Sequence, residues 1–105
     1  MELAELKRRA RSHDVRGELE AAIDSWTACF ERTRGGIEEV HWLVEALLRA
    51  SRTEDAIQVA RECTERNPEQ PTAFYILGRA LRISWRFEES VSAFSEACRL
   101  RPGWS

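Results

Sequence analysis

Apolar residues recur along the chain at helical spacing in short stretches separated by glycine, proline or polar breaks. The segment from Glu2 to about Asp14 is built of strong helix formers and is broken at Gly17. From Leu19 to Arg32, Leu19, Ala22, Ile23, Trp26, Cys29 and Phe30 share one face at 3.6 residues per turn, which predicts an amphipathic helix. Gly35-Gly36 is the strongest stop in the chain. A third helix is expected from Ile37 to Ala50, with Val40, Leu43, Val44 and Leu47 on its stripe. Ser51-Arg52-Thr53-Glu54 has the form of a capping box, which would open a fourth helix carrying Ala56, Ile57, Ala60 and Cys63 inward and ending before Asn67-Pro68. Pro71 opens a fifth, at a position where its missing N–H costs nothing, with Phe74, Leu77, Gly78 and Leu81 as its stripe. The sixth places Phe87, Ser90, Val91, Phe94, Ala97 and Cys98 on one face and stops at Pro102.

Six helices of similar length, in pairs, invite a comparison of the chain with itself. A shift of 34 residues aligns it without gaps. Leu6, Val40 and Phe74 share a column, as do Ala10, Val44 and Gly78, then Ala22, Ala56 and Ser90, then Ile23, Ile57 and Val91. Trp26, Ala60 and Phe94 form another, and Arg34, Pro68 and Pro102 close each unit. A helical hairpin alone cannot bury its apolar face, whereas stacked hairpins share one continuous core. The small columns belong where helices cross closely, so Ala56→Leu is expected to overpack the core at a cost of ~1–3 kcal/mol.

This period and pattern resemble the tetratricopeptide repeat (TPR). The third unit carries the resemblance best, with Phe74, Leu77, Gly78, Leu81, Ser90, Phe94 and Pro102 in the signature positions. The second carries Val40, Leu43, Val44, Leu47, Ala56, Ala60 and Pro68. The first departs from it at Arg9 and His13, which suits a terminal unit whose outer face meets water. The resemblance implies an all-α, right-handed α-solenoid of three helix–turn–helix repeats and six helices. The whole chain, 1–105, is then one domain, with repeats at about 3–36, 37–70 and 71–104. Trp85 stands where Gly17 and Ser51 stand in the inter-helix turns, so the third turn is expected to differ from a glycine turn.

Composition excludes more than it assigns. A length of 105 residues suffices for a core without metals or cross-links. The formal net charge of −2 argues against a general nucleic-acid binder. Cys29, Cys63 and Cys98 form no CxxC pair and read as buried free thiols in a reducing compartment, not as a disulfide framework or zinc site. No apolar run is long enough to span a membrane and the charged N-terminus is unlike a signal peptide, so a cytoplasmic location with no membrane partner is expected. There is no phosphate loop, GxSxG or HExxH, and His13 and His41 lack clustered partners. No enzyme, metal or cofactor is expected.

Binding remains. In the TPR family the first helix of each pair lines a concave surface that holds a peptide or a partner helix. Mapped onto this chain, that face offers Lys7, Arg11, His41, Glu45, Arg49, Tyr75, Arg79 and Arg82, beside Asp14, Glu38 and flanking apolar positions. The expected groove is locally positive and suited to an acidic segment or a free C-terminus. A solvated charged face with no ligand preference is the competing reading. One subclass grips the carboxylate of chaperone tails with a lysine–asparagine clamp. Lys7 matches its first lysine, but Arg11 and Trp42 replace its asparagines, and Thr72 and Ile76 its later cations, so that activity is not carried over. The alternative function is that of a self-association or regulatory segment of a larger enzyme or secretion protein, or of a homodimer, acting through an exposed C-terminal face bearing Trp85, Phe94 and Trp104. The resemblance implies a solvating helix after the last unit. The sequence shows only Pro102-Gly103-Trp104-Ser105 there, which fits either a piece of a longer protein or a dimer that covers this end.

Overall fold

The computed structural model describes residues 2–33 and 37–101, so Arg34, Gly35, Gly36, Pro102 and Trp104 lie outside the described residues. The rest forms six helices and, among the described residues, no strand: α1 (Leu3–Val15), α2 (Leu19–Arg32), α3 (Ile37–Arg49), α4 (Thr53–Arg66), α5 (Pro71–Ile83) and α6 (Phe87–Leu100). They pair as hairpins α1–α2, α3–α4 and α5–α6, and α2 packs on α3 as α4 packs on α5. The first helices α3 and α5 also touch. This is the all-α solenoid that the period predicts.

The core runs through all three hairpins. Trp26, Leu43, Val40, Val44 and Leu81 are buried in it, as is the small column Ala22, Ala56 and Ser90. Gly78 marks the closest crossing. A methyl group there would lie 2.7 Å from Phe94 Cε1, so the α6 ring sits directly on the α5 backbone. Ser90 Oγ donates to the Gly78 carbonyl at 2.9 Å, which satisfies its buried hydroxyl at the same crossing. Phe94 therefore packs within the α5–α6 hairpin, against Gly78 and Tyr75, whose ring centroid lies 5.6 Å away.

The three first helices end alike. Gly17, Ser51 and Trp85 adopt φ of 76°, 61° and 66°. In each turn the next residue's N–H reaches back five positions: Glu18 to His13, Arg52 to Leu47 and Arg86 to Leu81, all at 2.9 Å. This is the Schellman closure, which satisfies carbonyls left open at a helix C-terminus. The third turn thus does not differ from the glycine turn, contrary to the sequence expectation: its hydrogen bonds hold Trp85 in the left-handed region despite its bulk. Ser51 takes the same conformation and ends α3. The capping box expected from it does not form, and Arg52 precedes α4 with no side-chain cap.

A second repeated joint ties the hairpins together. Arg52 reaches Glu20 of the preceding unit at 3.2 Å, and Arg86 reaches Glu54 at 2.6 Å. In both pairs the cation sits just before a second helix and the carboxylate in the first turn of the second helix before it.

The outer face of α6 has no neighbour among the described residues. Val91 is 63% exposed, whereas Ile23 and Ile57 in the same column are buried. Phe87 is 53% exposed, and Trp85 (80%) meets it edge-on at 5.7 Å. Cys98, expected to be buried with the other thiols, is exposed because it lies on this same uncovered side. Cys29 and Cys63 are buried, and burial pushes the Cys63 thiol up to about 11.

Candidate interaction groove

The residues proposed for the groove lie on α1, α3 and α5, and the structure brings most of them into pairs that cross from one first helix to the next. Lys7 Nζ lies 2.7 Å from Glu39 and 3.9 Å from Glu38. Arg11 reaches the same Glu38 at 3.7 Å. Asp14 accepts from Arg49 at 2.9 Å, and Glu45 pairs with Arg79. Glu39 is buried, and its hydrogen bond with Lys7 raises the lysine above its ordinary value against the desolvation that opposes it. These pairs link the hairpins and neutralise much of the positive character expected of this face. Among the described residues, Arg82 is the groove cation left without a carboxylate partner, one turn beyond Arg79 on α5.

Between α3 and α5 the surface dips into a hollow of about 280 Å³ lined by His41, Val44, Glu45, Tyr75, Ile76 and Arg79. Val44 and Ile76 are its buried apolar members, Tyr75 stands 47% exposed, and the Glu45–Arg79 pair supplies charge. His41 is pushed below the usual imidazole value, first by desolvation and then by the Arg79 charge, although part of its ring reaches solvent. At neutral pH it is an uncharged donor and acceptor.

Beside His41 lies an aromatic row. Trp42 meets His41 edge-on at 5.1 Å and stacks on Trp26 at 6.1 Å, with ring planes 18° apart. Trp26 is buried, and its Nε1 donates to Asp14 at 3.2 Å. Trp42 remains 37% exposed. The sequence comparison names Trp42 and Ile76 only as replacements for clamp residues, not as lining of this face, and does not name Glu39 for it. The 34-residue shift places Trp42 and Ile76 in one column, which is the signal that could have found them. Of the alternative set, Trp85 lies on the exposed end and Phe94 inside the α5–α6 hairpin, while Trp104 falls outside the described residues.

The described residues hold no cluster of His, Cys, Asp and Glu fit for a metal ion. Among them no helix is long and apolar enough to cross a membrane. What the fold and this face define is a helical-repeat scaffold with a lined hollow between two of its first helices.

The tetratricopeptide repeat family model matches residues 43–103, more than half of the chain, and the chain belongs to that family. Membership makes it a protein-interaction module in kind. Solved structures agree in fold. The Sgt2 TPR domain from Aspergillus fumigatus superposes with a TM-score of 0.81 at 19% identity, over 96% of this chain and 67% of that one. The first TPR of Spaghetti (RPAP3), bound to the HSP90 peptide SRMEEVD, gives 0.78 at 18% identity, over 97% and 81%. MamA 41-end from Desulfovibrio magneticus RS-1 gives 0.74 at 18% identity, over 96% of this chain and 57% of that one. None of the curated proteins matches the chain.

Proposed function

We propose that the chain binds a peptide or partner helix across α3 and α5, seating an apolar side chain in the hollow and a carboxylate on Arg82. The observation that carries this reading is the hollow itself. It joins the apolar surface of Val44 and Ile76 to the half-exposed Tyr75 ring and the neutral His41, and one turn further along α5 stands Arg82, a cation with no carboxylate partner among the described residues. Lys7, Arg11, Arg49 and Arg79 are already engaged by carboxylates of the fold, so the preference for acid is concentrated at Arg82. The pairs also pre-place the groove side chains, which lowers the ordering cost of binding. A TPR neighbour that holds a peptide adds support from the family side.

Selection from a random peptide library tests this. Binders enriched for an apolar residue near Asp or Glu, weakened about tenfold or more by Tyr75→Ala and by Arg82→Glu, support the reading. Binders indifferent to both changes overturn it. Arg82 is a cleaner site for charge reversal than Arg79, where a carboxylate would face Glu45.

A second reading rests on a different observation, the uncovered apolar side of α6 with Trp85 at its edge. In that reading the module associates with another copy through this end.

A further inference from the structure

We infer that the outer face of α6 closes against the same face of a second copy, the two helices antiparallel about a two-fold axis, with Glu88 of each beside Arg99 of the other. This deepens the self-association reading by fixing which surface meets which.

Three observations lead there. The first is the concentration of exposed apolar surface: Trp85, Phe87 and Val91 lie together on one side, and the equivalents of Val91 in the other units, Ile23 and Ile57, are buried under the next hairpin. The second is the unfinished joint. Glu20 receives Arg52 and Glu54 receives Arg86, while Glu88, 34 residues beyond Glu54, has no cation among the described residues. Whatever covers α6 must therefore bring an apolar surface and a cation at its edge.

The third observation distinguishes two ways of seating a second copy there. A copy added head to tail would present its own first hairpin as α5 presents itself to α4. That hairpin carries Glu18 at the position of Arg52 and Arg86, so two carboxylates would meet at the joint. It also carries the exposed Arg9 where Leu43 and Leu77 stand, setting a charge on the apolar face. A growing, non-closing stack is thus opposed at both the joint and the apolar face. The α6 face suits itself. At about 100° per residue, Glu88 and Arg99 flank the stripe of Phe87, Val91 and Cys98 on the same edge, one near each end of the helix. A two-fold axis brings like edges together in opposite directions, which sets the acidic end of one helix beside the basic end of the other. Arg99 is held by Glu96 on its own helix and is exposed, so it can swing to a second carboxylate.

Sedimentation velocity of the 105-residue chain, over about three decades of concentration reaching the high-micromolar range, tests this. The expected result is a monomer–dimer equilibrium. Val91→Glu should weaken it at least about tenfold with helicity unchanged, since the site is exposed. Glu88→Arg and Arg99→Glu should each weaken it alone, and an equimolar mixture of the two should recover association. A chain that stays monomeric, that forms an open series of larger species, or that dimerises equally well with Val91→Glu overturns the proposal. Loss on Val91→Glu without recovery in the mixture keeps association through α6 and overturns the antiparallel pairing. The groove reading is untouched by any of these results, since its variants lie on α5.

Discussion

Asp14 on α1 and Arg49 on α3 meet at 2.9 Å, and the other oxygen of the same carboxylate accepts from the buried Trp26 indole at 3.2 Å. One side chain thereby joins both helices of the first unit to the second. Asp14→Ala strands the indole N–H in the core and releases Arg49. A loss of ~1–3 kcal/mol is expected, the usual cost of leaving a buried donor unpaired. Urea unfolding measures it, and Asp14→Asn should lose less, because an amide oxygen can still accept from one of the two donors. A midpoint unchanged in Asp14→Ala would show that the joint contributes nothing.

Gly78→Ala is expected to destabilise by roughly 1–2 kcal/mol. Alanine is the better helix former by about 1 kcal/mol, but its methyl group must displace the Phe94 ring. The companion change Gly78→Ala with Phe94→Leu should recover part of the loss, because the shorter side chain gives way. Thermal unfolding of the two variants separates the effects, and a Gly78→Ala protein more stable than the parent would contradict a close α5–α6 crossing at Gly78.

Trp85→Gly is expected to change stability in the other direction. Left-handed backbone costs a non-glycine residue ~1–2 kcal/mol, of which glycine's extra freedom in the unfolded chain takes back about half. A net gain of ~0.5–1 kcal/mol should appear in the unfolding midpoint. The side chain is mostly exposed, so little packing is lost. A variant that becomes more stable yet associates less would show that the tryptophan is kept for the surface it presents and not for the fold.

Thiol labelling should divide the cysteines. Cys98 is exposed and is expected to react in the native protein at neutral pH. Cys29 and Cys63 are shut in the core, and burial raises both thiols, Cys63 to about 11. Because the thiolate is the nucleophile, these two should react only after unfolding. Mass spectrometry after brief labelling reads the count: one adduct in buffer and three in denaturant.

The helices were legible because burial has a period. A stripe such as Leu19, Ile23, Trp26 and Phe30 can be satisfied by a single face, and the bounds of α2 follow from it to the residue. What escaped were features set by competition between local forces. At Trp85 the side chain argues against positive φ by a small amount, and the two closing hydrogen bonds outweigh it. At Ser51 the same hydroxyl could cap α4 or ride in the left-handed turn, and the turn takes it. Cys98 and Phe94 share the predicted inward face of α6, but among the described residues only its side toward α5 is covered, which takes in Phe94 and leaves Cys98 out. The groove positions come from the repeat, but their ion pairs do not: pairing between successive first helices depends on how the units lie side by side, which no single helix pattern contains.

The joint between Arg and Glu also has grammar. Residues 37–70 contain both halves of it, Arg52 toward the hairpin before and Glu54 toward the hairpin after. The first unit carries Glu18 in place of the arginine and offers only the forward half of the joint, Glu20. Lengthening is therefore open in the interior, where a duplicated copy of 37–70 would find a carboxylate behind it and an arginine ahead. The array can thus grow by whole words inserted in mid-sentence.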